Sequence, residues 1–392
     1  MSASGTPVWA STTRPRQSTR EGILRRLDWA LMLAALGLGL IGSLLVWSAT
    51  RQMELDHGGD PRTYLKRHLL NLAIGLVLGA AASVFDYRML RAYAPVLYIA
   101  SIAGLVAVLS PLGTTINGSH SWIVLPAGFS VQPSEFAKVA LVVGMALLLS
   151  EKRDAEDTPR HLDVALALTM AALPLGLVLM QPDLGTAMVF SFIVLGVIAV
   201  SGAPSRWILG LILLAVVGAF LAVHLHVLHD YQLQRFKAFY DPAADPRGAG
   251  YNTQQARIAI GSGGLTGKGL FQGPQTNGHF VPEQQTDFVF TVAGEELGLF
   301  GAGAIILLFG VVLWRAMRIA ARAEDLFGRL VAVGVVCWFA FQAFENIGMT
   351  LGIMPVAGLP LPFVSYGGSS MFATWVAIGL LQAVRMQRPM SA

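Results

Sequence analysis

The sequence predicts an all-α polytopic integral membrane protein. Only 13% of its 392 residues are charged, against roughly 25% in an ordinary soluble domain, and apolar runs near 20 residues in length recur along the chain. A hydrophobic content of 54% agrees. Lipid solvates apolar side chains that water would expel, so a water-soluble globule is excluded. The single cysteine, Cys337, rules out an internal disulfide and a cysteine-built metal site. The net charge of +4 does not signal nucleic acid, because Lys and Arg fall in short connections between apolar runs and form no extended basic face.

Runs long enough to cross about 30 Å of hydrocarbon predict about ten spans, at 28–49, 67–85, 93–110, 133–150, 163–180, 185–202, 206–224, 287–314, 327–347 and 369–385. Only Gln181 to Leu184 separate the fifth and sixth, as a tight re-entrant turn. Alternate connecting segments carry 17 and 10 basic residues, five of the latter in one long loop that orientation rules discount. Both termini are therefore expected in the cytoplasm. Residues 1–24, rich in Ser, Thr and Arg, read as a disordered cytoplasmic tail. Residues 25–388 form the ten-span domain and 389–392 a short cytoplasmic end. The first apolar run is too long for a cleavable signal and has no small-residue cleavage site, so it is read as a retained anchor.

On the opposite side lie 111–132, the large extracytoplasmic loop 225–286 between spans seven and eight, and 348–368, all strewn with Gly and Pro and expected to have little regular structure. Connections of that length are usually functional, which directs attention to the outer leaflet. The run from Gly261 to Gly269 imitates a phosphate loop and fails: Ser262 stands where the first glycine belongs, and Gly269 where Ser or Thr must meet magnesium. An elbow that lets backbone approach a helix closely is the better account. His224, His226, His229 and Asp230 at the end of the seventh span are read as interfacial residues rather than a zinc site.

Ionisable groups inside spans cost about 3 kcal/mol each unless paired or hydrated. Glu135 and Lys138, three apart at the start of span four, are expected to pair on one helix face. Asp183 lies where a helix start favours a carboxylate. Glu295 and Glu296 fall within the expected eighth span, and Glu345-Asn346 near the end of the ninth. Together these predict a water-filled cavity, although interhelical glue explains any one of them. Asp287, directly before an apolar helix, has two readings. It is an N-cap, or it is a half-sunk base whose proton affinity is raised by desolvation.

These segments resemble the SEDS family of polytopic cell-wall proteins (shape, elongation, division and sporulation). The resemblance rests on QPSEFAK at 132–138, QPDLGTA at 181–187, GAGYN and QARIAIGSGGLTGKG up to 269, PEQQTDFVF at 282–290, GEELG at 294–298 and NIGMTLGIMPVAGLPLPFVSYGGSS at 346–370. The stretch from Met354 to Pro360 is closer to the elongation subgroup, RodA, than to the division subgroup, FtsW.

The resemblance implies a bacterial inner-membrane glycosyltransferase that polymerises lipid II into the glycan strands of peptidoglycan, beside a class B penicillin-binding protein that cross-links them. It places the family's essential carboxylate on Asp287, its loop tryptophan on Trp122, and its cavity residues on Glu135, Lys138 and Asp183. Many relatives carry a basic residue before that tryptophan. Here Ser119-His120-Ser121 stand there, which removes that source of phosphate contact.

Chemically, Asp287 would take the proton of the attacking sugar 4-hydroxyl. Arg235, Lys237, Arg257 and Lys268 in the outer loop are candidates to hold the pyrophosphate, and a divalent cation (Mg or Mn) is a candidate to share that task. The expected partners are lipid II, the nascent strand, the transpeptidase and membrane lipid, with no nucleic acid. A lipid-linked precursor flippase and a non-catalytic scaffold are the competing readings.

Overall fold

The computed structural model describes residues 26–386 except 86, 117–118, 125–129, 152–157, 225–229 and 242–247. The tail 1–24 and the end 389–392 lie outside the described residues. The chain opens with three long helices, α1 (Trp29–Asp56), α2 (Thr63–Val84) and α3 (Tyr87–Leu109). Three short strands follow, β1 (Thr114–Ile116), β2 (Ser119–Val124) and β3 (Ser130–Val131), antiparallel in the order β1-β2-β3. Next come α4 (Pro133–Ser150), α5 (His161–Met180), α6 (Leu184–Val200) and α7 (Ser205–His224). The segment expected to be loop holds α8 (Asp230–Tyr240), α9 (Ala249–Gly263) and α10 (Pro274–Asn277). The chain finishes with α11 (Val289–Glu296), α12 (Gly298–Ala321), α13 (Leu326–Leu351) and α14 (Gly368–Met386).

Long apolar helices thus occupy the expected span positions, and among the described residues eight are long and apolar enough to cross a membrane. The other two differ for physical reasons. Helix α6 has 17 residues, and α14 carries buried Ser369, Ser370, Thr374 and Gln382, which lower its apolarity while satisfying the interior of the bundle.

Two expectations are corrected. First, the eighth span does not run unbroken through 287–314: α11 stops at Glu296 and α12 starts anew at Gly298, whose φ of +66° only glycine adopts freely. The glycine-rich elbow causes the break by supplying both helix ends with partners. Lys268 N and Gly269 N donate to the Glu295 and Glu296 carbonyls at 2.9 and 3.0 Å, while Leu299 N and Phe300 N donate to the Gly264 and Leu265 carbonyls at 2.9 and 3.1 Å. Glu295 and Glu296 therefore sit on a short separate helix. Second, 225–286 is substantially helical. In α9 the buried residues Gly250, Thr253, Ala256 and Ala259 form a stripe of small side chains. Ala256 packs with Val281, Phe288 and Met349, a pattern that the low apolarity of the segment conceals.

The end of the bundle where α1 begins is closed by one carboxylate. Asp28 caps α1 through Leu31 N at 3.2 Å and accepts from Arg315 Nε at 2.9 Å and Nη2 at 2.6 Å, and from Arg385. The Gln382 amide binds the Asp28 backbone on both sides, at 2.8 and 3.1 Å. One side chain, 2% exposed, thereby ties α1, α12 and α14 together. Removing it strands two partly buried guanidinium groups. Asp28→Ala is expected to cost about 3 kcal/mol of stability, read as a lowered thermal transition of the purified protein in detergent, whereas Arg318→Ala should leave the transition in place.

Candidate active site

A cavity of about 610 Å³ opens at the other end of the bundle. Helix α14 fixes this polarity, since it begins at the cavity with Gly368 and ends with Arg385 against Asp28. Three walls converge on it.

The first wall is the turn before α11, with Glu283, Gln285, Thr286 and Asp287. The backbone N–H groups of Thr286, Asp287 and Phe288 all donate to the Glu283 carbonyl, at 3.1–3.2 Å. Asp287 does not cap the helix. Phe288 occupies that position and no side chain makes the capping bond, which leaves the Asp287 carboxylate without a structural hydrogen bond among the described residues. It keeps some surface open to the cavity and is otherwise enclosed by protein. That enclosure, and next the charge of Glu283, push its carboxyl up to about 7, with Arg235 acting in the opposite direction.

The second wall is the segment 356–360, hung from α13. Asn346 Nδ2 donates both to the Asp287 carbonyl at 2.7 Å and to the Leu359 carbonyl at 2.6 Å. One turn earlier, Gln342 Nε2 donates to the Pro360 carbonyl at 2.7 Å. Ser365 Oγ accepts from Leu361 N at 2.8 Å and donates to the Thr286 carbonyl. Gly358, at φ +73°, has no side chain where the chemistry is concentrated: a Cβ there would lie 3.4 Å from Asp287 Oδ2 and 3.8 Å from Arg235 Nη1. Carboxylate and guanidinium thus share one glycine as their floor.

The third wall carries Trp122 on β2, with Gln132, Glu135, Asp183 and Thr186. Asp183 caps α6 by accepting from Thr186 N at 3.0 Å and Thr186 Oγ1 at 2.8 Å, and it also accepts from Gln132 Nε2 at 3.3 Å. Lys138 lies beneath the cavity floor, wholly buried, donating to Glu135 Oε1 at 2.7 Å and Gln342 Oε1 at 3.1 Å and sitting 4.8 Å from the Trp338 ring centre. The pair expected from the three-residue spacing is therefore present, with one member at the cavity and the other as its support.

Of the four loop cations singled out in the sequence, only Arg235 lines the cavity. Lys237, two positions along α8, is rotated about 200° from it and is exposed. Arg257 is exposed beside Gly352, because the small-residue stripe of α9 fixes which face packs inward. Lys268 is exposed, and its backbone N–H serves Glu295. His226 and His229 lie outside the described residues, and among the described residues no three His, Cys, Asp or Glu are grouped to hold a metal.

The chain is similar to known proteins along nearly its whole length. The family profile FTSW_RODA_SPOVE, described as "Cell cycle protein", matches residues 28–389. The "Probable peptidoglycan glycosyltransferase FtsW" of Trichlorobacter lovleyi is 38% identical over 91% of this chain and 93% of its own length. The "Peptidoglycan glycosyltransferase MrdB" of Escherichia coli K12 is 38% identical over 93% of this chain and 95% of its own. A chain from a solved peptidoglycan synthase complex, whose polymerization and crosslinking are structurally coordinated, superposes with a TM-score of 0.77 at 34% identity, covering 92% of this chain and 97% of its own.

The chain belongs to the FtsW/RodA/SpoVE family. It is a multi-pass protein of the cytoplasmic membrane. Several further residues that line the cavity carry no chemical motif of their own in the sequence. Tyr64, Arg67 and Asn71 line it from α2 at a spacing of three and four, a helical stripe that marks one polar face within an apolar run. Glu283 and Tyr366 line it from loops, where no periodicity announces them.

Two outcomes test the site. If Asp287 is the base, activity should rise with pH through about 7 as the carboxylate forms. Burial favours the neutral form, so the folded chain keeps this proton up to about pH 7 while the unfolded chain releases it near 3.8; the group's contribution to stability is full below about pH 4 and is lost as the pH climbs to about 7. A rate profile of Asp287→Glu with an acid limb unchanged from wild type would argue against the assignment. For the buried pair, Lys138→Ala leaves Glu135 uncompensated and is expected to cost about 3 kcal/mol or more. The double change Glu135→Leu with Lys138→Met should be better tolerated in a thermal-stability measurement.

Proposed function

We propose that this protein performs its family's glycosyl transfer in the cavity, with Asp287 as general base and Arg235 at the leaving group. The protein is a peptidoglycan glycosyltransferase. The observation that carries the residue assignment is the Asp287 carboxylate, without a hydrogen bond among the described residues, enclosed, and close to the Arg235 guanidinium over Gly358. Lipid II supplies an anomeric carbon α-linked to pyrophosphate. The sugar 4-hydroxyl attacks that carbon, its proton passes to Asp287, and the bond from carbon to phosphate oxygen breaks with the electron pair leaving on the lipid pyrophosphate. One in-line displacement inverts the centre and yields the β-1,4 link. A base near neutrality suits a weakly acidic hydroxyl, and pyrophosphate leaves without the second carboxylic acid that a glycosidase needs.

Arg235 offsets the charge that gathers on the departing phosphate. A divalent cation, were one bound, would find Glu283 and Asp183 as the cavity carboxylates at hand and would supply further neutralisation of pyrophosphate charge; among the described residues no three His, Cys, Asp or Glu are grouped for it. The cavity faces the outer surface in this reading, consistent with closure of the opposite end around Asp28. A class B penicillin-binding protein is the partner, supported by the likeness to the synthase complex. The elongation role rests on the stretch from Met354 to Pro360, because FtsW and MrdB relatives match equally well.

A flippase is the competing reading, and detergent separates the two because dispersed lipid II has no leaflet to cross. Purified protein with its partner should polymerise lipid II in detergent, and Asp287→Asn, which preserves shape, should reduce polymer at least a hundredfold. An intact complex that makes no polymer, yet scrambles lipid II across liposomes, would favour transport.

A further inference from the structure

The cavity wall formed by α2 and the start of α14 plays no part in the steps above, and it is chemically unfinished. Tyr64 and Tyr366 line it as an edge-to-face pair, with ring centres 5.1 Å apart and planes at 61°. Neither hydroxyl has a hydrogen-bond partner among the described residues. Arg67, one turn along from Tyr64 and on the same cavity-lining stripe, is exposed and makes no ion pair or hydrogen bond through its side chain among the described residues. Behind Tyr366, His68 is 0% exposed with neither ring nitrogen bonded, its ring stacked at 6.2 Å and 28°. The buried imidazole stacked behind it holds the Tyr366 ring in place.

The location narrows what such a corner is for. Tyr366 N donates to the Gln285 carbonyl at 2.8 Å, which anchors this wall two residues from Asp287. Two half-exposed aromatic rings with unsatisfied hydroxyls suit the C–H face and hydroxyl rim of a pyranose, and a free guanidinium suits an anionic group on the same molecule. Arg235, by contrast, shares the ground over Gly358 with Asp287: a Cβ there would meet both its guanidinium and the carboxylate within 4 Å.

We propose that Tyr64, Tyr366 and Arg67 form the subsite for the acceptor, the hexosamine ring that carries the attacking hydroxyl, and that the donor with its leaving pyrophosphate lies toward Arg235. The proposal rests on the glycosyltransfer reading and adds a division of the cavity between the two sugars. The tyrosines bind and orient the acceptor and take no part in proton transfer.

The test separates the substrates chemically. A donor-only lipid II lacks the terminal 4-hydroxyl (4-deoxy). An acceptor-only lipid II has a methylene in place of the anomeric oxygen, so its pyrophosphate cannot leave. Together they give a single coupling product, measured with the purified full-length protein and its class B partner in detergent. Tyr64→Leu and Tyr366→Leu are each expected to raise KM for the acceptor-only analogue by about three- to tenfold and by more than they lower kcat, with KM for the donor-only analogue essentially unmoved. Phe at either position, which keeps the ring and removes the hydroxyl, should give an intermediate KM. Arg67→Gln should raise the acceptor KM in the same direction.

An unchanged acceptor KM in the Leu variants, or a rise confined to the donor, overturns the proposal. If a Leu variant fails to fold, the Phe variants decide, since an acceptor KM equal to wild type in both also overturns it. Should wild-type protein form no coupling product at all, the glycosyltransfer reading fails first. Product that depends on Asp287 but is indifferent to the tyrosines removes the subsite alone.

Discussion

One amide holds the candidate site together. Asn346 sits in the interior of α13, 0% exposed, and its Nδ2 divides its donors between the carbonyls of Asp287 and Leu359. Those carbonyls belong to two chain segments that are more than seventy residues apart and adjacent in space, one bearing the base and the other its glycine floor. In a low-dielectric interior each such bond is strong, and an unmade one is costly. The two irregular segments are therefore locked to a regular helix, and Gln342, one turn earlier, repeats the device at Pro360. Where the base stands depends less on its own surroundings than on a polar ladder along α13.

The same constraint explains the backbone around it. Within a membrane protein, polar backbone removed from water must find partners inside the chain, and irregular structure survives only where protein or a cavity supplies them. Helix α11 ends and α12 begins at mid-sequence because the elbow 264–269 presents two donors to one helix and two acceptors to the next. The glycine run that imitates a phosphate loop is thus a splice between helices. Glu295 shows the complementary solution: its carboxylate accepts from Gln275 N and Thr276 N, both at 2.8 Å, and closes the start of α10. Charges that looked like cavity lining are in this case structural partners.

Closure at one end and openness at the other give the molecule its chemical direction. The Asp28 cluster and the Lys138–Glu135–Gln342 group bind helices tightly beneath the floor. Above it, Asp287 is enclosed enough to hold a proton near neutrality and open enough to meet a hydroxyl. A carboxylate in full solvent would be too weak a base for this step, and one fully engaged in capping would be unavailable. The observed position lies between these, because Phe288 takes the capping position and asks nothing of the acid.

Much of this was legible in the chain itself. Apolar length alone places the long helices, since about 30 Å of hydrocarbon sets a requirement that no tertiary contact changes. The three-residue step from Glu135 to Lys138 specifies their pairing, and the turn at Gln181 to Asp183 specifies a helix start, because helix geometry is local. Family motifs then mark Asp287 and Trp122 as cavity residues. Three-dimensional packing decided what local rules do not reach. Whether Asp287 caps a helix, which of four loop cations faces the cavity, and where the eighth apolar run breaks all depend on segments far apart in sequence. Arg235 and Lys237 are two residues apart, yet only the way α8 packs puts one over Gly358 and the other outward. Spacing fixes what a helix can present; the partner it lies against determines what it does present.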